Sequence, residues 1–110
     1  MKEKIVFLYV TCSSEEEARK ISKSLLEERL CACVNIYYPI SSIYWWENKI
    51  EDSKEAVVII KTRKSLAKVI EEKILKIHSY TCPCIAQIEI SETNECFINW
   101  LLKETKNSDI

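Results

Sequence analysis

The sequence predicts an α+β sandwich in which helices cover one face of a four-stranded antiparallel sheet. Three observations predict it. Apolar runs of strand period alternate with runs of helical period in the order β-α-β-β-α-β-α; the second and third strands follow each other directly across "WENKI"; and 110 residues make a single domain, 1–110. A chain of this length buries about 60 to 70% of the surface it exposes when unfolded, so its core is thin.

Each element carries its own signal. "KIVFLYVTC" is a continuous apolar, β-branched run suited to a strand covered on at least one face. In "SSEEEARKISKSLLEERL" the apolar residues Ala18, Ile21 and Leu25 recur at helical spacing with charges between them. Ser14 stands three residues ahead of Glu17 as in a capping box, and Glu15, Glu16 and Glu17 suit the positive end of the helix. "CACVNIYYPISSIYWW" and "IEDSKEAVVIIKT" are the second and third strands, and Pro39, which has no N–H for a ladder, implies a bulge, a bend or an edge. The chain has no glycine. Its hairpin turn therefore falls to Asn48, since asparagine tolerates positive φ best among the other residues; Lys49 would be strained if it shared that conformation. "KSLAKVIEEKILKIH" is a second amphipathic helix on Leu66, Val69, Ile70, Ile74 and Ile77, "CIAQIEIS" a fourth strand, and "NECFINWLLKE" a final helix carrying Phe97, Trp100 and Leu101.

The first six elements follow the split βαβ, or ferredoxin-like, order, and right-handed crossovers place strands one and three side by side in the centre. One face of the sheet is left without a helix. The β2-β3 hairpin, with arms longer than the usual ~5 to 6 residues, projects beyond so small a core. Both features ask for a cover, which a second copy of the chain supplies.

Charge and motif content exclude several functions. Sixteen basic against seventeen acidic residues give a net charge of -1, which offers no global field for nucleic acid or anionic membrane, and neither partner is expected. The apolar run 5–10 is too short for a signal-peptide core and is soon followed by acids, and no segment approaches the ~20 apolar residues of a membrane span. A cytoplasmic protein is expected, with its six cysteines mostly reduced. An RNA-recognition signature, a Cys-x-x-Cys after the first strand and a glycine-rich phosphate loop are all missing, and spacing indicates no catalytic pair around the one histidine. The chain reads as a non-enzyme.

The thiols and aromatics carry what chemistry is visible. Cys31-Ala32-Cys33 and Cys82-Pro83-Cys84 are two Cys-x-Cys pairs, and in an extended chain residues two apart face the same side. Four converging thiolates would select soft ions, although the spacing is against a zinc ribbon. Burial or scatter as small hydrophobes is the simpler reading. His78, near a helix end, either partners the helix carbonyls or acts as a ligand. Tyr44 and Trp46 share one strand face and Trp45 takes the other. Such aromatics make an oligomer seam or, in a sharper reading, a small-ligand pocket between copies, lined by Tyr44, Trp46 and Tyr80 with Lys61 and His78 as polar groups and Glu47 nearby.

With "EERLCACVNI", "SIYWWENKIE", "VVIIKT", "HSYTCPCIAQIEI" and "INWL" in this order, the chain resembles the CutA divalent-cation tolerance family from roughly Lys4 to Glu104. The resemblance implies a ferredoxin-like subunit, a homotrimer built through the long central strands, a fold shared with the PII signal-transduction proteins, and binding of copper or another divalent cation without turnover, no cofactor being required for folding. His78 matches the histidine of the family's His-Pro-Tyr-x-x-Pro motif, with Ser79 in place of the first proline; Cys33 matches a cysteine that recurs at the start of the second strand; Cys12 is offset by two residues from the family's first-strand cysteine, which aligns with Val10. The implied metal ligands are thus His78, Cys33 and Cys12. The alternative function is a PII-like signalling or scaffold module that binds a small molecule or protein partner in inter-subunit clefts at Tyr44, Trp46, Glu47, Lys61 and Tyr80.

Overall fold

The computed structural model describes residues 3–107, so the two residues before them and the three after, which the predicted domain includes, lie outside the described residues. In chain order the elements are β1 (Ile5–Cys12), α1 (Glu15–Glu27), β2 (Cys33–Trp46), β3 (Lys49–Arg63), α2 (Ala67–Ile77, entered through a 3₁₀ turn at Lys64–Leu66), β4 (Ile85–Ile90) and α3 (Glu95–Glu104). The sheet order is β2-β3-β1-β4 with every neighbour antiparallel, which puts β1 and β3 in the centre as expected.

Period-two alternation builds the core. Val6, Leu8, Val10 and Cys12 of β1 and Ala56, Val58 and Ile60 of β3 face the helices and are buried against Ala18, Ile21 and Leu25 of α1 and Ile70 and Ile74 of α2. Each fully buried Leu or Ile contributes about 1.5 to 3 kcal/mol of hydrophobic stabilisation. Thr62 occupies the same face, and its hydroxyl donates to the Leu30 carbonyl at 2.6 Å, so the one polar side chain in that row has a partner.

Without glycine, three other residues among those described take positive φ. Arg29 (φ 60) ends α1, where Arg29 N donates to Leu26 O and Leu30 N to Leu25 O, a Schellman closure that stops the helix three residues short of the expected Leu30. Glu47 (φ 49) and Asn48 (φ 66) form the two-residue turn closed by the Trp46–Lys49 pair. Asn48 serves as predicted, whereas the second positive-φ position falls on Glu47 rather than Lys49. Pro39 lies in a register shift between Tyr37 and Ile40, next to a cis Tyr38–Pro39 bond, on an edge strand. β2 begins at Cys33, two residues later than predicted.

The opposite sheet face carries Phe7 and Tyr9 of β1, Glu55, Val57, Ile59 and Lys61 of β3 and Ile88 of β4. It is not bare. α3 packs on β3 at the Lys61 end, where the Lys61 ammonium lies 5.3 Å from the Phe7 ring centroid and 5.8 Å from that of Phe97. Arg63 anchors the helix end by donating to the Leu102 carbonyl at 2.6 Å and to the Thr105 hydroxyl at 2.9 Å. In the other direction the β2–β3 arm extends the molecule to 47 Å against 26 and 21 Å across, and it leaves Ile43 (68%), Trp45 (72%) and Ile50 (64%) exposed.

Replacing Asn48 by valine, a β-branched residue that strongly disfavours positive φ, should cost about 1 to 3 kcal/mol, whereas Asn48→Gly should not destabilise. Urea unfolding at one protein concentration checks both.

Candidate functional site

Three chain segments meet where β1 ends. Cys12 is the last residue of the strand and faces the helices; Ser13 and Ser14 lead into α1; and His78 caps α2, its backbone N–H donating to Ile74 O at 2.8 Å. The alternation that buries Val6, Leu8 and Val10 also buries the Cys12 thiol at this junction.

Glu17 ties the segments together. Its Oε1 accepts from Ser13 N and Ser13 Oγ, both at 2.9 Å, and its Oε2 accepts from Ser79 N at 2.7 Å, while its own N–H donates to Ser14 Oγ at 3.0 Å. Half of the predicted capping box is therefore present, with the carboxylate reaching one residue further back than the box requires. Burial alone would raise this carboxyl, but the hydrogen bonds from Ser13 and Ser79 outweigh it and hold the pKa down at about 2.

His78 has both ring nitrogens engaged. The Tyr80 N–H donates to Nδ1 at 3.0 Å, so Nδ1 carries a lone pair and the proton sits on Nε2, which donates to the Thr11 carbonyl at 2.8 Å. One accepted and one donated hydrogen bond of this kind describe a neutral imidazole. The Tyr80 ring lies against it with centroids 4.9 Å apart, and the Tyr80 hydroxyl donates to Glu55 Oε2 at 2.6 Å. Burial and this bond to Glu55 push the phenol pKa up. Glu55, only 9% exposed, sits opposite Ile40 where pairing resumes after the Pro39 bulge.

A ligand atom from each of Cys12, Glu17 and His78 lies within 4.8 Å of the others. Thiolate, carboxylate and imidazole suit Zn(II) or Cu(II), so the donor types fit a divalent ion. Their resting state is closed, however. Burial, then the negative charges of Glu17 and Glu55, push the Cys12 thiol up to about 12, and the other two donors hold the hydrogen bonds just described. An entering cation must displace the thiol proton and free a histidine lone pair.

The structure brings predicted ligands Cys12 and His78 together and adds Glu17, whose backbone-capping role was legible in Ser14-x-x-Glu17 but whose place beside His78 was not. Cys33 is elsewhere. It pairs with Lys61, which pairs with Phe7, five residues along β1 from Cys12 or roughly 17 Å, and two strands away. Burial raises the Cys33 thiol pKa, with Lys61 opposing the shift. Cys31 is in the core with its thiol raised to about 12 by burial, then by Cys33, while Cys82 and Cys84 are exposed before β4, so the four Cys-x-Cys thiols do not converge.

The predicted cleft residues also separate within one chain. Tyr80 lies at the base of the arm, close enough to Tyr44 for the two phenols to interact electrostatically, and the Tyr44 hydroxyl meets Ser53 Oγ at 3.1 Å. Trp46 and Glu47 are at the tip of the arm. Lys61 stands ten residues along β3 from Glu51, the partner of Tyr44, or about 33 Å away.

Comparison with known proteins agrees with this architecture. Residues 6–104 match the family described as CutA1 divalent ion tolerance protein. The divalent-cation tolerance protein CutA of Archaeoglobus fulgidus is 45% identical over 95 residues, covering 86% of this chain and 92% of that one, and its Pyrococcus horikoshii counterpart is 41% identical over 102 residues, covering 93% and 99%. The crystal structure of the divalent ion tolerance protein CutA1 from Ehrlichia chaffeensis superposes with a TM-score of 0.93 at 37% identity, covering 97% of this chain and all of that one.

Glu17 should leave a signature in acid. Its folded pKa of about 2 lies below the ordinary 4.5, so its contribution is fully present above pH 4.5 and is lost as pH falls toward 2. Glu17→Gln should lower stability at pH 7 and flatten its decline between pH 5 and 2, as read from urea midpoints across that range.

Proposed function

The chain belongs to the CutA1 divalent ion tolerance family, and on that premise we propose that it is a homotrimer which binds a divalent cation, copper(II) or zinc(II), at Cys12, Glu17 and His78 without turnover. The observation that carries this reading is the sulfur, oxygen and nitrogen donors brought within 4.8 Å by three different elements. The ion is cargo here rather than a resident cofactor. Uptake costs the Cys12 proton and the Tyr80–His78 hydrogen bond, so the site binds with an affinity that rises with pH. It also links occupancy to the arm, because Tyr80 holds Glu55 at the arm's base.

The trimer reading is supported by the exposed Ile43, Trp45, Trp46 and Ile50 on the arm, large apolar side chains gathered as they are on interaction surfaces. Such an assembly also accommodates the PII-like alternative, in which the cleft at Tyr44, Trp46, Glu47 and Tyr80 receives Lys61, and any Cys33 ligand, from a neighbouring copy. A cytoplasmic home keeps the six free cysteines reduced.

Native mass spectrometry and calorimetric titration of the reduced protein with Zn(II) test the proposal. The expected result is a trimer binding one ion per chain, with affinity rising about tenfold per pH unit as the single Cys12 proton is displaced. Cys12→Ser and His78→Ala should each weaken binding at least about tenfold. Unchanged stoichiometry and affinity in both variants would remove the site.

A further inference from the structure

The chain itself blocks the divalent site. Glu17 Oε2 and His78 Nδ1 stand 3.8 Å apart. Two atoms that each lie about 2.0 to 2.1 Å from one Zn(II) are at most ~4.2 Å from each other, so this pair is already spaced to share an ion. Both atoms are taken by consecutive amides of the segment that follows α2. Ser79 N donates to Glu17 Oε2 at 2.7 Å, and Tyr80 N donates to His78 Nδ1 at 3.0 Å. Two N–H dipoles thus turn their positive ends toward the lone pairs a cation would take. His78 offers no other lone pair, because its Nε2 proton goes to the Thr11 carbonyl, and its side chain is fully buried. An ion reaches Nδ1 only when Ser79 and Tyr80 move aside.

One side chain holds that segment down. The Tyr80 hydroxyl donates to Glu55 Oε2 at 2.6 Å. Cys12 pairs with Ala56 on the helix side of the sheet, so Glu55, one residue away, belongs to the opposite face, and Tyr80 reaches across the sheet from the His78 side to that face. Thr81, Cys82 and Cys84, next along the chain, are exposed, so the segment can lift without opening the core. We propose that Ser79 and Tyr80 form an autoinhibitory gate over the divalent site, latched by the Tyr80–Glu55 bond. In the ion-free protein the two amides stand in for the cation; binding of the cation lifts them and releases Tyr80 from Glu55 at the base of the arm. The inference rests on the divalent reading of Cys12, Glu17 and His78. Apparent affinity is then the intrinsic affinity reduced by the fraction of chains whose gate is open. Whatever weakens the closed gate tightens binding, and Tyr80 is a positioning residue that touches no ion.

The test is calorimetric titration of the full reduced chain with Zn(II), for the unmodified protein, Tyr80→Phe, Ser79→Pro and Cys12→Ser, joined to amide hydrogen exchange with and without the ion. Tyr80→Phe keeps the ring against His78 and removes only the latch. Ser79→Pro removes the N–H given to Glu17, and His78, at φ -74 and ψ 144, already has the extended backbone that a following proline requires. Both variants should be less stable without zinc yet bind it about tenfold more tightly, since a hydrogen bond to a charged group no longer opposes opening. A purely structural role would lower stability and affinity together. In the unmodified protein, zinc saturation should speed exchange of the Ser79 and Tyr80 amides at least about tenfold while leaving those of β1 unchanged. Amides that stay protected in the zinc-loaded protein, or a Tyr80→Phe variant that binds no more tightly, would overturn the gate. If Cys12→Ser weakens binding in that case, the divalent site stands and the gate alone is lost. Unchanged affinity in Cys12→Ser removes the site and the gate with it.

Discussion

The alternating burial of β1 is the constraint on which the rest depends. With Val6, Leu8 and Val10 committed to the helix side, Cys12 must follow them inward, and the chain then leaves the strand where α1 begins and α2 ends. The same register leaves the Thr11 carbonyl available to the His78 ring and brings Ser13 to Glu17. Slipping β1 by one residue would turn Phe7, Tyr9 and Thr11 inward and dissolve the junction. The candidate site is thus a by-product of core packing, and its geometry is as firm as the core itself.

A chain without glycine has to support its tight turns with side chains. Arg29 takes the left-handed conformation at the end of α1, and its guanidinium donates to Glu104 Oε1 at 2.7 Å while its carbonyl accepts from Lys106 N at 2.9 Å. A residue that is strained at its backbone therefore becomes the tether for the end of α3. Glycine could have closed the helix at lower conformational cost and kept the carbonyl contact to Lys106, but it could not have made the guanidinium contact to Glu104.

Much of this was legible in the sequence because the signals were local. Helical and strand periods set the element order, Ser14 marked the start of α1, Pro39 marked the bulge and Asn48 marked the turn. What escaped was tertiary. No local signal told that Arg29 would accept positive φ, since nothing in its neighbourhood distinguishes it from other helical arginines. The packing of α3 on the sheet depends on Lys61 and Arg63, more than 30 residues distant along the chain. The separation of Cys33 from Cys12 follows from strand order rather than from spacing. Glu17 was visible as a cap but not as a neighbour of His78, because its second oxygen is claimed by Ser79 from across the fold.

The arm places the tryptophans in an unusual position. None of the three is in the core: Trp45 is 72% exposed, Trp46 59% and Trp100 41%. Fluorescence of the arm indoles Trp45 and Trp46 in a lone chain would therefore change colour little on unfolding, since both are mostly exposed already, whereas Trp100 sits half-buried on α3. Emission moves to shorter wavelength only when another surface covers the arm. In this protein the ordinary optical probe of folding becomes a probe of assembly, and the two processes can be followed separately by pairing it with the far-ultraviolet signal of the helices.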